Sequence, residues 1–189
     1  DRFSFGEVRS THQQNIVLAD VAVIDLFAIW NVLHKAGLAE PNIDTIQDII
    51  CCPGLAYCSL ANAESIPIAQ SIQRTFDNLD FVYDLGELTL NISGCMNACS
   101  HHHLANIGIL GVDKKGQQFY QISLGGTKGS QAKLGKILGP SIAADQVTQV
   151  IEKIIEIFRS HRLGSENFID TYSRIGLTSF QEGVYEPVN

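Results

Sequence analysis

The feature that most constrains this chain is where its cysteines stand. All five of them, Cys51, Cys52, Cys58, Cys95 and Cys99, fall in two short stretches of a 189-residue sequence. The spacing is C-x5-C, then 36 residues, then C-x3-C, with Cys51 left over. An odd number of cysteines without a secretory leader argues against a disulfide framework. A chain of this length buries roughly two-thirds of its unfolded surface and needs no covalent staples to fold. The first group reads Cys51-Cys52-Pro53-Gly54-Leu55-Ala56-Tyr57-Cys58, the second Gly94-Cys95-Met96-Asn97-Ala98-Cys99. Both are bordered by Gly or Pro, in loops whose backbone N–H groups can turn toward sulfur and tune a bound centre. Four thiolates from two loops suit a [4Fe–4S] cluster or a tetrahedral zinc ion, although five intervening residues is wide for a zinc pair. Buried cysteines acting as small apolar residues are the third reading. Spacing alone leaves all three open.

Composition narrows the partners. The chain is 45% hydrophobic and 17% charged, a globular balance. Thirteen basic against twenty acidic residues give a net charge of −7, so the basic face that nucleic acid requires is not expected. No uncharged apolar run reaches the ~18 residues of a membrane span. The most apolar stretch, Val21 to Leu33, is broken by Asp25 and Asn31. No basic segment followed by an apolar one opens the sequence, so a cytoplasmic protein is expected. The first residue is Asp1 rather than Met, which reads as a piece of a longer protein.

The pattern along the chain predicts an α+β fold: a mixed, mostly antiparallel sheet flanked by helices, without a βαβ rhythm. Strands are expected over Phe3 to Thr11, Asn15 to Ala19, Leu88 to Ile92, Ile107 to Val112 and Phe119 to Leu124, the last two joined by a turn at Asp113-Lys114-Lys115-Gly116. Helices are expected over Val21 to Ala36, capped by Asp20 and stopped by Gly37, and over Thr45 to Ile50. A third runs from Ser65 to about Phe76, with Pro67 in its first turn. The strongest amphipathic pattern is Ala144 to Arg162, and a last helix runs from Ser165 to Ile175, stopped by Gly176. Glu40-Pro41-Asn42 is the best linker, Gly125 to Gly139 reads as a glycine-rich loop, and Trp30 as core.

With Cys52-x5-Cys58 set in "CPGLAYCSLANAES" and Cys95-x3-Cys99 in "ISGCMNACSHHHLANIGILGV", the chain resembles the siroheme- and [4Fe–4S]-dependent sulfite and nitrite reductases from about Gly6 to Tyr185. The resemblance implies that Cys52, Cys58, Cys95 and Cys99 bind the cluster and that Cys99 also bridges it to the siroheme iron. Asn97 matches the family's Asn between the last two cysteines, and Gln14 and Asn15 match a Gln-Asn pair that lies against siroheme. The implied reaction is the six-electron reduction of sulfite to sulfide or of nitrite to ammonia. The cofactor pair does the hard chemistry while the protein positions it. The implied electron donor is ferredoxin or an NADPH-dependent flavoprotein.

The match departs from the family at Met96, where Pro is common, at Ala98, where Gly or Ser is common, and in the triplet His101-His102-His103. One of these histidines, His101 foremost, either meets siroheme carboxylates or donates protons near neutral pH; a surface or packing role is the other reading. Cys51 is expected to be a buried structural cysteine beside the cluster. His12 and Lys128 are weaker candidates to face the cofactor.

The resemblance covers only the later, cluster-bearing half of the family's architecture. Residues 1–41 resemble the end of a ferredoxin-like half-domain, and 42–189 the siroheme/[4Fe–4S]-binding domain. The resemblance implies that most of the arginines and lysines that grip the anions come from the N-terminal half of the same polypeptide. No complete catalytic site is therefore expected here, and neither cofactor need stay with the isolated chain. Two other functions fit the same cysteines: a non-catalytic Fe–S electron-transfer protein and a zinc-stabilised interaction domain. On the cluster reading, the two cysteine groups must meet in space.

Overall fold

A computed structural model describes residues 2–185; the last four positions of the expected second domain lie outside the described residues. The chain divides into two compact units, Asp1–Asn42 and Ile43–Asn189.

The first unit is an antiparallel hairpin of β1 (Val8–Ser10) and β2 (Ile16–Leu18), followed by helix α1 (Leu26–Lys35). Both strands are shorter than their sequence pattern predicts. The hairpin loop closes through a hydrogen bond from Thr11 N–H to the Asn15 carbonyl at 2.9 Å. Asp20 does not cap the helix. It adopts a positive φ of 54°, and a 3-10 turn at Val23–Asp25 precedes α1. Gly37 does end the helix, at φ 68°. Its N–H donates to the His34 carbonyl at 3.0 Å and that of Leu38 to the Leu33 carbonyl at 2.9 Å, the paired bonds of a Schellman stop. Trp30 is not core: it is 46% exposed and stacks between Phe27 and His34 along one side of α1. Only Ile29 of that helix is buried.

The second unit is built on a sheet in the order β3-β4-β5-β6-β7, with β8 also on β6. Its strands are β3 (Ile50–Cys51), β4 (Leu90–Ser93), β5 (Ile107–Lys114), β6 (Gln117–Leu124), β7 (Lys136–Ile137) and β8 (Ile142–Ala143). The expected α+β class holds, with a correction to topology. β3 and β4 are parallel neighbours, as are β4 and β5; the other pairings in this sheet are antiparallel. The first parallel pair is joined through α2 (Ile66–Thr75) and α3 (Leu79–Leu85), so one βαβ crossover is present after all. The periodicity hides it because β3 is only two residues long.

Helix α3 escapes the sequence reading; it starts where Asn78 Oδ1 accepts from Phe81 N–H at 2.9 Å. Conversely, the expected helix at Thr45 to Ile50 is a pair of turns leading into β3. The β5–β6 hairpin turns on two residues, Lys115 and Gly116, both at positive φ, so the strands extend beyond the expected four-residue turn. Helix α4 (Val147–His161) follows a 3-10 turn. Helix α5 (Phe168–Tyr185) begins at Asn167, whose side chain accepts from Asp170 N–H at 2.9 Å, rather than at Ser165. Gly176 (φ 78°, ψ 171°) breaks α5 as expected, but the chain resumes helical geometry beyond it.

One face of the sheet carries Leu90, Ile92, Ile107, Ile109, Ile122 and Leu124, packed with α2, α4 and α5 into a single core. The register sets Leu90, Ile107 and Leu124 side by side, and likewise Ile92, Ile109 and Ile122. Because successive side chains alternate, the intervening positions Asn91, Ser93, Gly108 and Ser123 turn to the opposite face. Those four are also buried, although polar or without a side chain. Ser100 and His102, just beyond the second cysteine stretch, lie against that face.

Candidate metal centre

Both cysteine groups begin where a parallel strand ends. Cys51 is the last residue of β3, and Gly94-Cys95 follows the last residue of β4. Since β3 and β4 are parallel neighbours, their carboxyl ends lie side by side and the loops leaving them meet. Open α/β sheets place ligand sites at such ends.

The contact between the loops is specific. Cys52 N–H donates to the Ile92 carbonyl at 3.1 Å, and Gly94 N–H donates to Cys52 Sγ at 3.0 Å. The Gly94 carbonyl accepts from Asn62 N–H at 2.8 Å and from Ala63 N–H at 3.1 Å. No side chain fits at this crossing. A Cβ on Gly94 would stand 2.7 Å from the Ala63 carbonyl oxygen, and one on Gly54, at φ 61°, 2.5 Å from Ser65 N. The Ala63–Ser65 segment is held in turn by β6. Tyr120 Oη donates to the Glu64 carbonyl at 2.8 Å, and Gln118 Oε1 accepts from Glu64 N–H at 2.8 Å. Burial, and secondarily the Glu64 carboxylate, push the Tyr120 phenol up to about 12, so it stays a donor.

Within the first loop, Cys58 is half-buried and its N–H donates to the Gly54 carbonyl at 2.9 Å. Cys51 packs against the core, while Cys52 is buried at the loop junction beside Gly94 and Ser65. Burial, followed by the neighbouring Cys52, raises the Cys51 thiol above its ordinary value. Cys51 is thus half-buried against the core, not the fully buried cysteine that the sequence predicts.

The second loop is two tight turns. Ala98 N–H donates to the Cys95 carbonyl at 3.2 Å, and His101 N–H to the Ala98 carbonyl at 2.7 Å, with Ala98 and His101 both at φ 53°. Cys95 is buried; Met96, Asn97, Cys99 and His101 are exposed. Cys99 is nevertheless anchored through its neighbour, since buried Ser100 is bonded to both Ser93 and Asn91 of β4. His102 is buried, with Nδ1 unpartnered, and burial followed by the charge of His103 pulls it down to about 4. It is therefore a neutral ring at physiological pH. His103 is exposed and tilts against it at 3.9 Å between centroids.

All five cysteines are free thiols. Among the described residues, no three His, Cys, Asp or Glu side chains are grouped to hold a single metal ion. The donor set does fit a larger centre: four thiols on two abutting loops, with a backbone amide already aimed at one sulfur. Lys128 lines a pocket of about 250 Å³ shared with Asp44 and Glu87. Gln14 and Asn15 stand at the hairpin turn of the first unit, Gln14 at φ 63°. His12 is exposed in the same turn.

Sequence reasoning missed three contributors. The sequence marks Ser65 as the start of a helix, yet its hydroxyl makes no cap bond and stands 3.4 Å from Cys52 Sγ. Asn91 reads only as strand, and Ser93 lies just past the expected strand end at Ile92. Two buried polar residues in an otherwise apolar strand were the available signal.

The comparisons with known proteins agree with this geometry. Residues 42–189, more than half of the chain, match the family described as the nitrite and sulphite reductase 4Fe-4S domain, and the chain belongs to that family. It is 29% identical over 176 residues to an assimilatory ferredoxin-dependent nitrite reductase of Haloferax mediterranei, covering 89% of this chain and 30% of the relative. It is also 29% identical over 181 residues to the sulfite reductase [NADPH] hemoprotein beta-component of Xylella fastidiosa, covering 93% and 31%. The NirA protein of Mycobacterium tuberculosis shares the fold, with a TM-score of 0.76 at 24% identity over 92% of this chain and 33% of that one. The chain therefore spans about a third of the length of these relatives.

Proposed function

We propose that this chain is the C-terminal, cluster-bearing part of a cytoplasmic sulfite or nitrite reductase. Cys52, Cys58, Cys95 and Cys99 would ligate a [4Fe–4S] cluster, and Cys99 would bridge it to siroheme. The observation that carries the reading is the junction itself: free thiols on two loops, hydrogen-bonded to each other at the carboxyl ends of adjacent parallel strands. When bound, the coupled cluster and siroheme supply electrons one at a time for a six-electron reduction.

The chain's own residues hold and shape the site. Gly94 N–H donates to a ligand sulfur, which favours added negative charge there. Ser100, fixed to β4, keeps Cys99 at the exposed rim, where its sulfur is open to a second centre. Asn97 and His101 stand on the same exposed loop, suited to polar groups of a tetrapyrrole. Gln14 and Asn15 would contact siroheme. Residues 1–41 act as the end of a ferredoxin-like half-domain, completed by the N-terminal half of the same polypeptide. That first unit exposes Phe5, Ile16, Ile24 and Phe27 as well as Trp30, apolar surface that a two-stranded hairpin and one helix cannot bury alone. The earlier half would also supply the cations for sulfite or nitrite. Its relatives' names point to a ferredoxin in one case and NADPH in the other as the electron source.

The test is anaerobic purification of the full-length polypeptide, with its absorption spectrum and its turnover of sulfite and of nitrite under a reduced ferredoxin or flavoprotein. Siroheme bands and turnover support the reading. In Cys99→Ser both should be lost or altered; normal turnover with an unchanged siroheme spectrum would remove the bridging role.

A further inference from the structure

Ser65 occupies the N-cap position of α2, where serine ordinarily accepts a hydrogen bond from the first turn. It makes no such bond. Its hydroxyl instead lies 3.4 Å from Cys52 Sγ, in a place with no solvent exposure. Gly94 N–H reaches the same sulfur at 3.0 Å. Ideal Cβ atoms on Gly54 and on Gly94 would fall 3.0 and 3.2 Å from Ser65 Oγ, so the two glycines are what admit the hydroxyl to the loop crossing. In the free thiol either oxygen or sulfur can donate. A ligand thiolate has no proton, so the bond then has one polarity: Ser65 O–H donates to sulfur.

We propose that Ser65 is a positioning residue that sets the reduction potential of the cluster through Cys52. This rests on the assignment of Cys52 as a ligand. Reduction adds one electron to the centre, with no bond made or broken, and part of the added charge falls on the thiolate sulfurs. Two buried donors on one sulfur stabilise the reduced state more than the oxidised one and raise the potential. A helix start that forgoes its serine cap fits a hydroxyl recruited elsewhere. The buried site gives water no access to replace it, since a deleted hydroxyl leaves less room than a water molecule needs.

The experiment is a dithionite redox titration of the full-length holoprotein, followed by the electron paramagnetic resonance of the reduced cluster, for wild type, Ser65→Ala, Ser65→Thr and Cys52→Ala. Ser65→Ala should keep its iron and sulfide and become harder to reduce, with the equilibrium for one-electron reduction falling about tenfold, a shift of about 59 mV to lower potential. Ser65→Thr, which keeps the hydroxyl, should return toward the wild-type value. An unchanged potential in Ser65→Ala overturns the proposal. So does loss of the cluster or of the fold in that variant, which would make Ser65 a structural residue, and so does a Ser65→Thr protein that behaves like alanine. Cys52→Ala separates the premise: a full cluster in that protein would remove Cys52 from the ligand set, independently of what Ser65 does.

Discussion

The hydroxyls of Ser93 and Ser100 lie 2.6 Å apart, both buried, and through that contact strand β4 holds the residue that follows Cys99. Asn91 Nδ2 adds a second bond of 2.6 Å to the Ser100 carbonyl. The most exposed cysteine of the set is thus tethered to the most buried strand of the sheet. A loop with an exposed thiol and two left-handed residues is otherwise free to rearrange.

Removing that tether should loosen the loop while the core stays intact. Ser93→Ala leaves the Ser100 hydroxyl buried without its partner, at a cost of about 1–3 kcal/mol. The full-length protein should show a lowered melting temperature and faster loss of iron in air. Equal cluster retention in Ser93→Ala and wild type would contradict the tethering role.

The loop crossing should tolerate no side chain. In Gly94→Ala the new methyl would meet the Ala63 carbonyl oxygen at 2.7 Å and Gly54 Cα at 3.1 Å, backbone atoms that cannot step aside. Overpacking of this kind costs about 1–3 kcal/mol. Purified Gly94→Ala protein should carry less cluster than wild type, by iron and sulfide analysis, at equal helix content by circular dichroism. A full complement of cluster would show that the loops do not need this approach.

His102 gives the fold a dependence on acid. Its folded value of about 4 lies below the ordinary 6.5 because burial, and then His103, oppose the charged ring. Between those two values the unfolded chain binds more protons than the folded one, so stability rises with pH there. The contribution is fully present above pH 6.5, falls as the pH descends toward 4, and is constant below. Denaturation midpoints measured across pH 4 to 7 should therefore decline on the acid side, and His102→Gln should flatten that decline. An unchanged slope in the variant would assign the acid sensitivity to other groups.

How much of this was legible in the sequence depends on what each residue does. The cysteine spacing announces itself because few chains cluster thiols so tightly. The amphipathic stripe of α4 is equally readable, since Val147, Val150, Ile151, Ile154, Ile155 and Phe158 all face the core. The β5–β6 hairpin is visible in its alternation, although its turn is shorter than the polar run suggests. Strand β3 is not legible: two residues carry no periodicity, and its pairing with β4 depends on residues some forty positions away. Without β3 the parallel crossover is invisible, and with it the reason the cysteine groups meet. Helix α1 misleads in the other direction. Its apolar residues repeat as a core helix would, yet Phe27 and Trp30 are exposed in this structure. Ser65 reads only as the start of a helix, and the turn of its hydroxyl toward Cys52 depends on the glycines across the loop junction.

The central claim is that four of the five cysteines, and not Cys51, hold one [4Fe–4S] cluster. It is tested most directly by iron and acid-labile sulfide per polypeptide in the anaerobically purified full-length protein, for wild type and for alanine variants at each of the five positions. The account predicts five irons, one of them that of siroheme, and four acid-labile sulfides in wild type and in Cys51→Ala. It predicts loss of the intact cluster in Cys52→Ala, Cys58→Ala, Cys95→Ala and Cys99→Ala. A wild-type protein with zinc in place of iron, or a full cluster in any of those four variants, would contradict it.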